Sequence, residues 1–324
     1  MKHKNIAILG GAGFVGQHLA ARLTADNYSV RILTRDRLQY PQMELIEGLE
    51  IHEGDAFDSS TLETFLSGQD AVINLIGILN ERKDNGKEFH YIHSDLAHHV
   101  VQACENSHVP RLLHMSALNA DANNGASHYL RSKGEAEDWA LHASEWGLKV
   151  TSFRPSVIFG PNDDFFNRFA SLLKISPVAF PLACASSRIS PVYIGDVCQA
   201  FIKALSDDNT IGRSFSLCGP TTYTLKQLVE FTARTVALKR VIIGLPNTLS
   251  KLQARILGLW PTKPFTIDNY RSLQVDSVCE NNGLEELGIK PASIESIVPM
   301  YLGTSSRRGY FDGYRKQTPY SCNK

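Results

Sequence analysis

Tyr129 and Lys133 stand four residues apart in Tyr-Leu-Arg-Ser-Lys, thirteen residues after Ser116. A spacing of four brings two side chains onto one face of a helix. The pairing has a chemical use: a phenol with a pKa of about 10 is a poor base until a neighbouring ammonium stabilises its phenolate. A serine hydroxyl close by can orient or polarise a carbonyl oxygen. Ser116, Tyr129 and Lys133 are therefore the candidate acid/base set. The pattern alone arises often by chance, and tyrosines and lysines on helices mostly face water. Its weight comes from position, because it opens a helix shortly after the apolar run Arg111 to Met115.

A second constellation precedes it. The run Ile6-Ala-Ile-Leu-Gly10-Gly-Ala-Gly13-Phe14-Val15-Gly16 is a buried strand leading into three glycines at three-residue spacing and then a helix. Gly10 permits a tight strand-to-helix turn, Gly13 lets backbone approach a pyrophosphate, and Gly16 lets the helix pack close to the sheet. The amides of the first helical turn, at Phe14 and Val15, then face the phosphates. The next strand ends at Thr34-Arg35-Asp36-Arg37. An acidic side chain there suits the ribose hydroxyls of NAD(H), whereas an arginine can pair with a 2′-phosphate. Arg35 therefore favours NADP(H), with Thr34 beside it as a further cofactor-binding residue and Asp36 keeping NAD(H) as the lesser alternative.

These residues need a scaffold. Through residue 160, short β-branched runs alternate with segments of helical period, the pattern of a parallel sheet covered on both faces. Strands are expected near Asn5 to Leu9, Tyr28 to Leu33, Leu49 to His52, Ala71 to Leu75, Arg111 to Met115 and Val150 to Phe153. Helices are expected near Phe14 to Thr24, Thr61 to Phe65, Asp95 to Asn106 and Tyr129 to Glu145. Ser60 with Glu63, and Thr224 with Gln227, have the spacing of capping boxes. The expected class is α/β: a doubly wound parallel Rossmann sheet over residues 1–160, to which 191–204 return, with a smaller C-terminal α/β lobe from 161–190 and 205–303. Residues 304–324 form a basic tail with Arg307, Arg308, Arg315 and Lys316.

Composition narrows the partners. Apolar residues make up 43% of the chain and charged residues 20%, enough for a large core, and 33 Lys plus Arg balance 33 Asp plus Glu. Such a chain has no global field for nucleic acid or anionic lipid. The six cysteines (Cys104, Cys184, Cys198, Cys218, Cys279, Cys322) include no CxxC pair and read as unpaired thiols of a reducing compartment. The first strand begins within five residues of Met1, leaving no room for a cleavable leader, so a cytoplasmic protein is expected. The most apolar stretch, Val241 to Trp260, is broken by Pro246, Lys251 and Arg255, which excludes a span of about 20 residues and leaves peripheral contact with a membrane open. Within it, Leu252, Ile256 and Leu259 lie opposite Lys251 and Arg255, and this amphipathic helix is expected to pack into the core of the second lobe. His90, His93, His98 and His99 cluster without carboxylate or thiolate support, so no metal site is expected.

With these motifs in hand, the chain resembles the extended and atypical short-chain dehydrogenases/reductases, the NAD-dependent epimerase/dehydratase superfamily, over about residues 4 to 303. Gly54-Asp-Ala56, Asn74-Leu-Ile-Gly77 and Arg154-Pro-Ser-Val-Ile-Phe-Gly-Pro161 add to the likeness. The resemblance implies that Asp55 and Ala56 sit at the adenine, Leu75, Ile76 and Gly77 along the ribose, and Pro155 and Val157 beside the nicotinamide, with Lys133 also holding the nicotinamide ribose. It implies an oxidoreductase or epimerase acting on a small carbonyl or sugar-nucleotide substrate. Val72 to Leu79, Ser116 to Ala120, Tyr129 to Lys133, Phe165 to Phe169 and Pro191 to Asp196 resemble more narrowly the nucleotide-binding accessory subunits of respiratory complex I and their bacterial relatives. That likeness implies an alternative: a non-catalytic NADPH-holding accessory or assembly protein, docked on quinone-linked respiratory machinery at the inner face of the membrane. His93 stands where extended members usually carry asparagine, which departs from their water-mediated proton relay.

Overall fold

The computed structural model describes residues 4–261 and 263–303; the basic tail and Cys322 lie outside the described residues. Runs of four to seven apolar and β-branched residues, too short for helices, build the first half of the molecule. They are β1 (Asn5–Leu9), β2 (Ser29–Thr34), β3 (Leu49–Glu53), β4 (Ala71–Asn74), β5 (Arg111–Met115) and β6 (Lys149–Pro155). Between them run α1 (Phe14–Ala25), α2 (Ser59–Leu66), α3 (Lys87–Phe89), α4 (Leu96–Asn106) and α5 (His128–His142), with a π-helical stretch over His90–Asp95 joining α3 to α4. β1, β4 and β5 are buried along almost their whole length, which suits strands covered on both faces.

The second half is more broken. It contains β7 (Ile158–Phe159), α6 (Phe166–Ile175), β8 (Ala179–Leu182), β9 (Arg188–Ile189), β10 (Val192–Tyr193), α7 (Ile194–Ser206) and β11 (Arg213–Leu217). There follow β12 (Tyr223–Thr224), α8 (Leu225–Thr235), β13 (Val241–Gly244), α9 (Asn247–Gly258), α10 (Ile267–Ser272), α11 (Gly283–Glu286) and α12 (Ile294–Leu302).

The main sheet has seven parallel strands in the order β11-β6-β5-β4-β1-β2-β3. The expected doubly wound α/β class is thus present, with the order reversing beside β1, where such sheets open a crevice at their carboxyl ends. Two apolar layers sandwich the sheet. One joins α1 and α7 through Leu19, Leu23, Val197 and Phe201; the other joins α2 and α4 through Leu62, Phe65, Val100 and Cys104. A third cluster around Phe159, Phe166, Leu228 and Val298 is the core of the second lobe.

Four sequence expectations change. The seventh strand, β11, comes from a stretch read as second lobe; its alternating Phe215 and Leu217 mark a half-exposed edge strand and carry little signal. The cap of α2 is Asp58, which accepts from Thr61 N at 2.9 Å, and Ser60 lies inside the helix, its own hydroxyl bonded to Asp58. Thr224 and Gln227 do form their capping box. Cys218 and Cys279 form a disulfide from the end of β11 to the loop before α11, while Cys104, Cys184 and Cys198 are buried free thiols. Cysteine usage therefore no longer argues for a reducing compartment.

The fourth correction concerns α9. It turns small residues inward, Ser250 and Ala254, and leaves Leu252, Ile256 and Leu259 in solvent at 50%, 57% and 87% exposure. An amphipathic pattern defines two faces but not which of them is covered.

One buried cation ties the sheet to its covering helices. Arg111, at the start of β5, donates to Lys149 O, Thr151 Oγ1, Ala204 O and Thr210 Oγ1. Burial lowers its pKa to about 10, with Asp208 and Asp207 pulling the other way. Arg111→Met fills a similar volume but leaves four acceptors without their donor, so it should lower unfolding stability by about 3 kcal/mol. Urea unfolding checks this; an unchanged midpoint would show that the network contributes nothing.

Candidate functional site

Because all seven strands are parallel, the residues singled out at their ends collect along one edge. Gly10 follows β1, Thr34 and Arg35 end β2, Asp55 and Ala56 follow β3, and Leu75 to Gly77 follow β4. Ser116 follows β5, while Pro155 and Val157 lie at the end of β6.

The glycine turn is tight for reasons of contact. Gly10 has φ +76°, and a Cβ there would stand 3.0 Å from the Ile76 nitrogen and the Leu75 carbonyl carbon. A Cβ on Gly16 would stand 2.5 Å from the backbone of Gly10 and Gly11, so α1 sits hard against the turn. On Gly13 it would meet only the Gly10 oxygen, at 3.3 Å, and otherwise open space. No side chain caps the N-terminus of α1. Its first-turn amides at Phe14 and Val15 are the donors a pyrophosphate needs, and the residues present fit a dinucleotide.

At the end of β2, Arg35 is exposed and has no partner among the described residues. The Asp36 carboxylate accepts from Leu38 N at 3.0 Å and from Gln39 Nε2 at 2.8 Å. Arg37 pairs with Glu44. Asp55 accepts from Phe57 N, and the Phe57 ring stacks on Tyr91 at 4.2 Å. Asn74 Oδ1 accepts from Ile76 N, which shapes the segment that a ribose would follow.

Ser127 caps α5 by accepting from Leu130 N, and Asp268 of α10 accepts from the amides of His128 and Tyr129 at 2.7 and 3.1 Å. The second lobe therefore clamps the helix start that carries Tyr129. One turn on, Lys133 is buried, donates to Met115 O at 3.0 Å and faces Gly77, where a Cβ would stand 3.0 Å from its Nζ. Ser116 Oγ donates to Glu137 Oε2 at 3.1 Å. Glu137 is itself held by Arg154 at 2.7 Å and Ser214 at 2.8 Å. Tyr129 and Lys133 are thus brought together on one helix, whereas the Ser116 hydroxyl is engaged with Glu137.

Burial dominates the acid/base balance. It pushes the Tyr129 phenol up to about 12 and the Lys133 ammonium down to about 8, the latter partly offset by Glu137. The ammonium lies on a backbone carbonyl and leaves the phenol neutral. The π-helical stretch turns His93 inward, where its Nε2 accepts from Ile78 N at 3.0 Å. Nδ1 must then carry the proton, and it donates to Ser132 Oγ at 2.8 Å, which in turn donates to Tyr129 O. Burial first, then Lys133 and His114, hold His93 well below the usual histidine range. With both nitrogens engaged, His93 is a fixed neutral bracket.

A cavity of about 290 Å³ adjoins Tyr129 through Phe89 and Asp268, and is completed by Glu81, Ala254, Leu259 and Lys263. None of the glycine-turn residues lines it. The sequence reading passed over Asp268 and Glu137. Glu137 had a usable signal, standing four residues beyond Lys133 on the same face; Asp268 had none, since its role depends on how the second lobe folds back.

Comparison with known proteins bears on the family and the fold. The family described as NAD dependent epimerase/dehydratase matches residues 6–218. The mouse protein named NADH dehydrogenase [ubiquinone] 1 alpha subcomplex subunit 9, mitochondrial, is 28% identical over 297 residues, covering 89% of this chain and 77% of that one. The NADH-ubiquinone oxidoreductase 40 kDa subunit, mitochondrial, of Neurospora crassa is 26% identical, covering 94% and 80%. Among solved structures, the UDP-glucose 4-epimerase of Thermotoga maritima with UDP-glucose superposes with a TM-score of 0.76 at 17% identity, over 96% of this chain and 99% of that one. The dTDP-glucose 4,6-dehydratase of Streptomyces venezuelae with NAD bound gives 0.74 at 18%, over 95% and 99%. At such identities the likeness is one of fold.

The buried histidines have a measurable consequence. Burial, then Lys133, holds His114 at about 3 against 6.5. Between these values the unfolded chain binds the proton and the folded protein does not, so stability is full above the unfolded pKa and falls as pH drops. Going from about pH 7 to about pH 5 should cost roughly 2 kcal/mol from His114 alone. Urea unfolding at both pH values should show that slope reduced in His114→Gln; an equal slope in the variant would refute the assignment.

Proposed function

Since the chain belongs to the NAD dependent epimerase/dehydratase family, we propose that it is an NADP(H)-binding protein of the short-chain dehydrogenase/reductase type, an oxidoreductase or epimerase acting on a small carbonyl or sugar-nucleotide substrate. The observation that carries this reading is the Tyr129–Lys133 turn, with Lys133 wedged between Met115 O and Gly77 beside the glycine turn. A nicotinamide, when bound, would supply or accept hydride.

The residues of the chain do the rest. The amides of Phe14 and Val15 hold the pyrophosphate above Gly10, Gly13 and Gly16. Arg35 pairs with the 2′-phosphate; in support, Asp36 is occupied by Leu38 and Gln39 while Arg35 has no partner among the described residues. Asp55 and Ala56 bound the adenine, Leu75, Ile76 and Gly77 the ribose, and Pro155 and Val157 the nicotinamide. Lys133 donates to the nicotinamide ribose. Tyr129, a neutral phenol in its buried setting, is suited to deliver a proton to a developing alkoxide. Ser116 can hold the reacting oxygen once its hydroxyl turns from Glu137. The cavity beside Phe89 and Asp268 is the substrate pocket of this reading.

One observation favours a second reading. Ser116 and His93 are both held in internal hydrogen bonds, and the sequence relatives are named as subunits of a respiratory NADH dehydrogenase. A non-catalytic protein that keeps NADPH as part of its fold, and docks on quinone-linked machinery at the inner face of a membrane, would need neither residue free. The first reading would have it act in the cytoplasm.

Two measurements test the proposal, the first its cofactor and the second which of the two readings holds. Arg35→Ala should weaken NADPH at least tenfold and leave NADH unchanged, by titration of cofactor fluorescence; equal losses for both would remove the NADP(H) preference. Tyr129→Phe should lower turnover of a carbonyl or sugar-nucleotide substrate by about a hundredfold or more. Tightly retained NADPH that no substrate oxidises would decide for the second reading.

A further inference from the structure

Sequence, packing and charge single out the outer side of α9. At 3.6 residues per turn, Leu249, Leu252 and Ile256 fall within an arc of about 60°, Leu259 and Trp260 follow directly at the C-terminal end of α9, and all five are exposed, Trp260 at 61%. The inward arc is Ser250 and Ala254. Ser250 Oγ donates to Leu245 O and accepts from Cys184 N, so the helix lies close on its own small side chains. Large apolar residues therefore face water, a costly arrangement for a surface that nothing covers.

The patch does not stop at the helix. β13 runs into α9 through Leu245 and Pro246 and exposes Val241 and Ile243 while Ile242 is buried. β8 pairs with β13, and Gln253 Nε2 donates to Pro181 O at 3.1 Å, tying α9 to that ribbon. Ile175 and Val178, just before β8, are also exposed.

The charge of this region is one-sided. From Phe231 to Ile267 the chain carries Arg234, Lys239, Arg240, Lys251, Arg255 and Lys263 and no carboxylate. From Phe165 to Gly195 it carries Arg168, Lys174 and Arg188 and again none. In a chain of balanced charge these two segments are purely cationic. Glu81, Asp84 and Asp268 line the cavity together with Ala254, Arg255, Gly258 and Leu259, so Arg255 and Leu259 border that cavity as well as solvent, while Leu249, Leu252, Ile256 and Lys251 do not line it.

We propose that the outer face of α9, with the β8–β13 ribbon, docks on an anionic phospholipid bilayer. An apolar arc flanked by cations, with a tryptophan at its end, matches headgroup phosphates above acyl chains, into which such a helix settles by its apolar side. A second copy is a poor occupant: an isologous contact through this arc would bring the cations of one α9, Lys251 foremost, against those of the other, and α9 itself carries no carboxylate to answer them. Any protein occupant would have to be both apolar and acidic. This inference goes beyond the nucleotide site and does not depend on catalysis there.

The test is cosedimentation of the full chain with vesicles of phosphatidylcholine containing about 30% phosphatidylglycerol, against vesicles of phosphatidylcholine alone. Binding should favour the anionic vesicles, fall with added salt and shift the Trp260 fluorescence, a shift absent in Trp260→Phe. Leu252→Asp combined with Ile256→Asp should weaken partitioning at least tenfold, and Lys251→Gln by roughly fivefold. All three positions are exposed, so unfolding midpoints and NADPH binding should stay at wild-type values. Binding that survives the double substitution would overturn the proposal and turn attention to the cations between Arg307 and Lys316. No vesicle binding, with a dimer or a protein complex that the same substitutions dissolve, would assign the face to a protein contact instead.

Discussion

A lysine nitrogen shut inside the protein sets the terms on which the carboxyl edge of the sheet is built. Lys133 cannot keep its proton in that setting without compensation, and it has the carbonyl of Met115 at the end of β5 as acceptor and the negative charge of Glu137, one turn further along α5, to favour the ammonium. Meeting that carbonyl requires α5 to lie close across the ends of β4 and β5. The approach leaves no room for a side chain where Gly77 stands. It also demands that the first turn of α5 be held, which Ser127 does locally and Asp268 does from the second lobe. The two lobes are therefore joined at the residue pair that defines the site.

The same constraint explains the histidines. Burial disfavours the charged form of His93 and His114, and the Lys133 ammonium beside them acts in the same direction. His93 consequently serves as an acceptor for the Ile78 amide and a donor to Ser132, and a proton relay through it would first have to break the bond to Ile78. Where a solvated asparagine could pass protons through water, this chain has a rigid link between the turn after β4 and α5. Turnover and rigidity make opposite demands on that position, and both functional readings turn on which of them prevails.

What the sequence made legible was local. β1 and β5 have the expected ends to the residue, because a buried strand needs only a run of apolar residues between turn signals. The glycine turn, the Tyr129–Lys133 face and the Thr224 box each rest on spacing within one turn or one helix. The misreadings were tertiary. Asp58 outcompetes Ser60 as a cap by a choice of backbone φ and ψ that both residues permit. Cys218 and Cys279 lie 61 residues apart and meet only because β11 joins the sheet. Asp268 reaches α5 across 140 residues. No pattern of nearby residues encodes such meetings.

The helix α9 shows how far a correct pattern can mislead. Its apolar and cationic faces were visible in the sequence, and net charge near zero argued against an anionic partner. Both inferences averaged over something that matters locally. Burial is decided by which face can approach its neighbour most closely, and Ser250 and Ala254 win over leucines because small side chains let the helix seat on Leu245 and Cys184. Attraction to a surface is decided by charge within about 10 Å of it, the screening length, so a balanced chain can still carry segments that are purely cationic. Leu259 is also part of the wall of the cavity beside Tyr129. Whatever covers the outer arc of α9 therefore touches a residue of the candidate substrate pocket, and the exposed face and the site cannot be wholly independent.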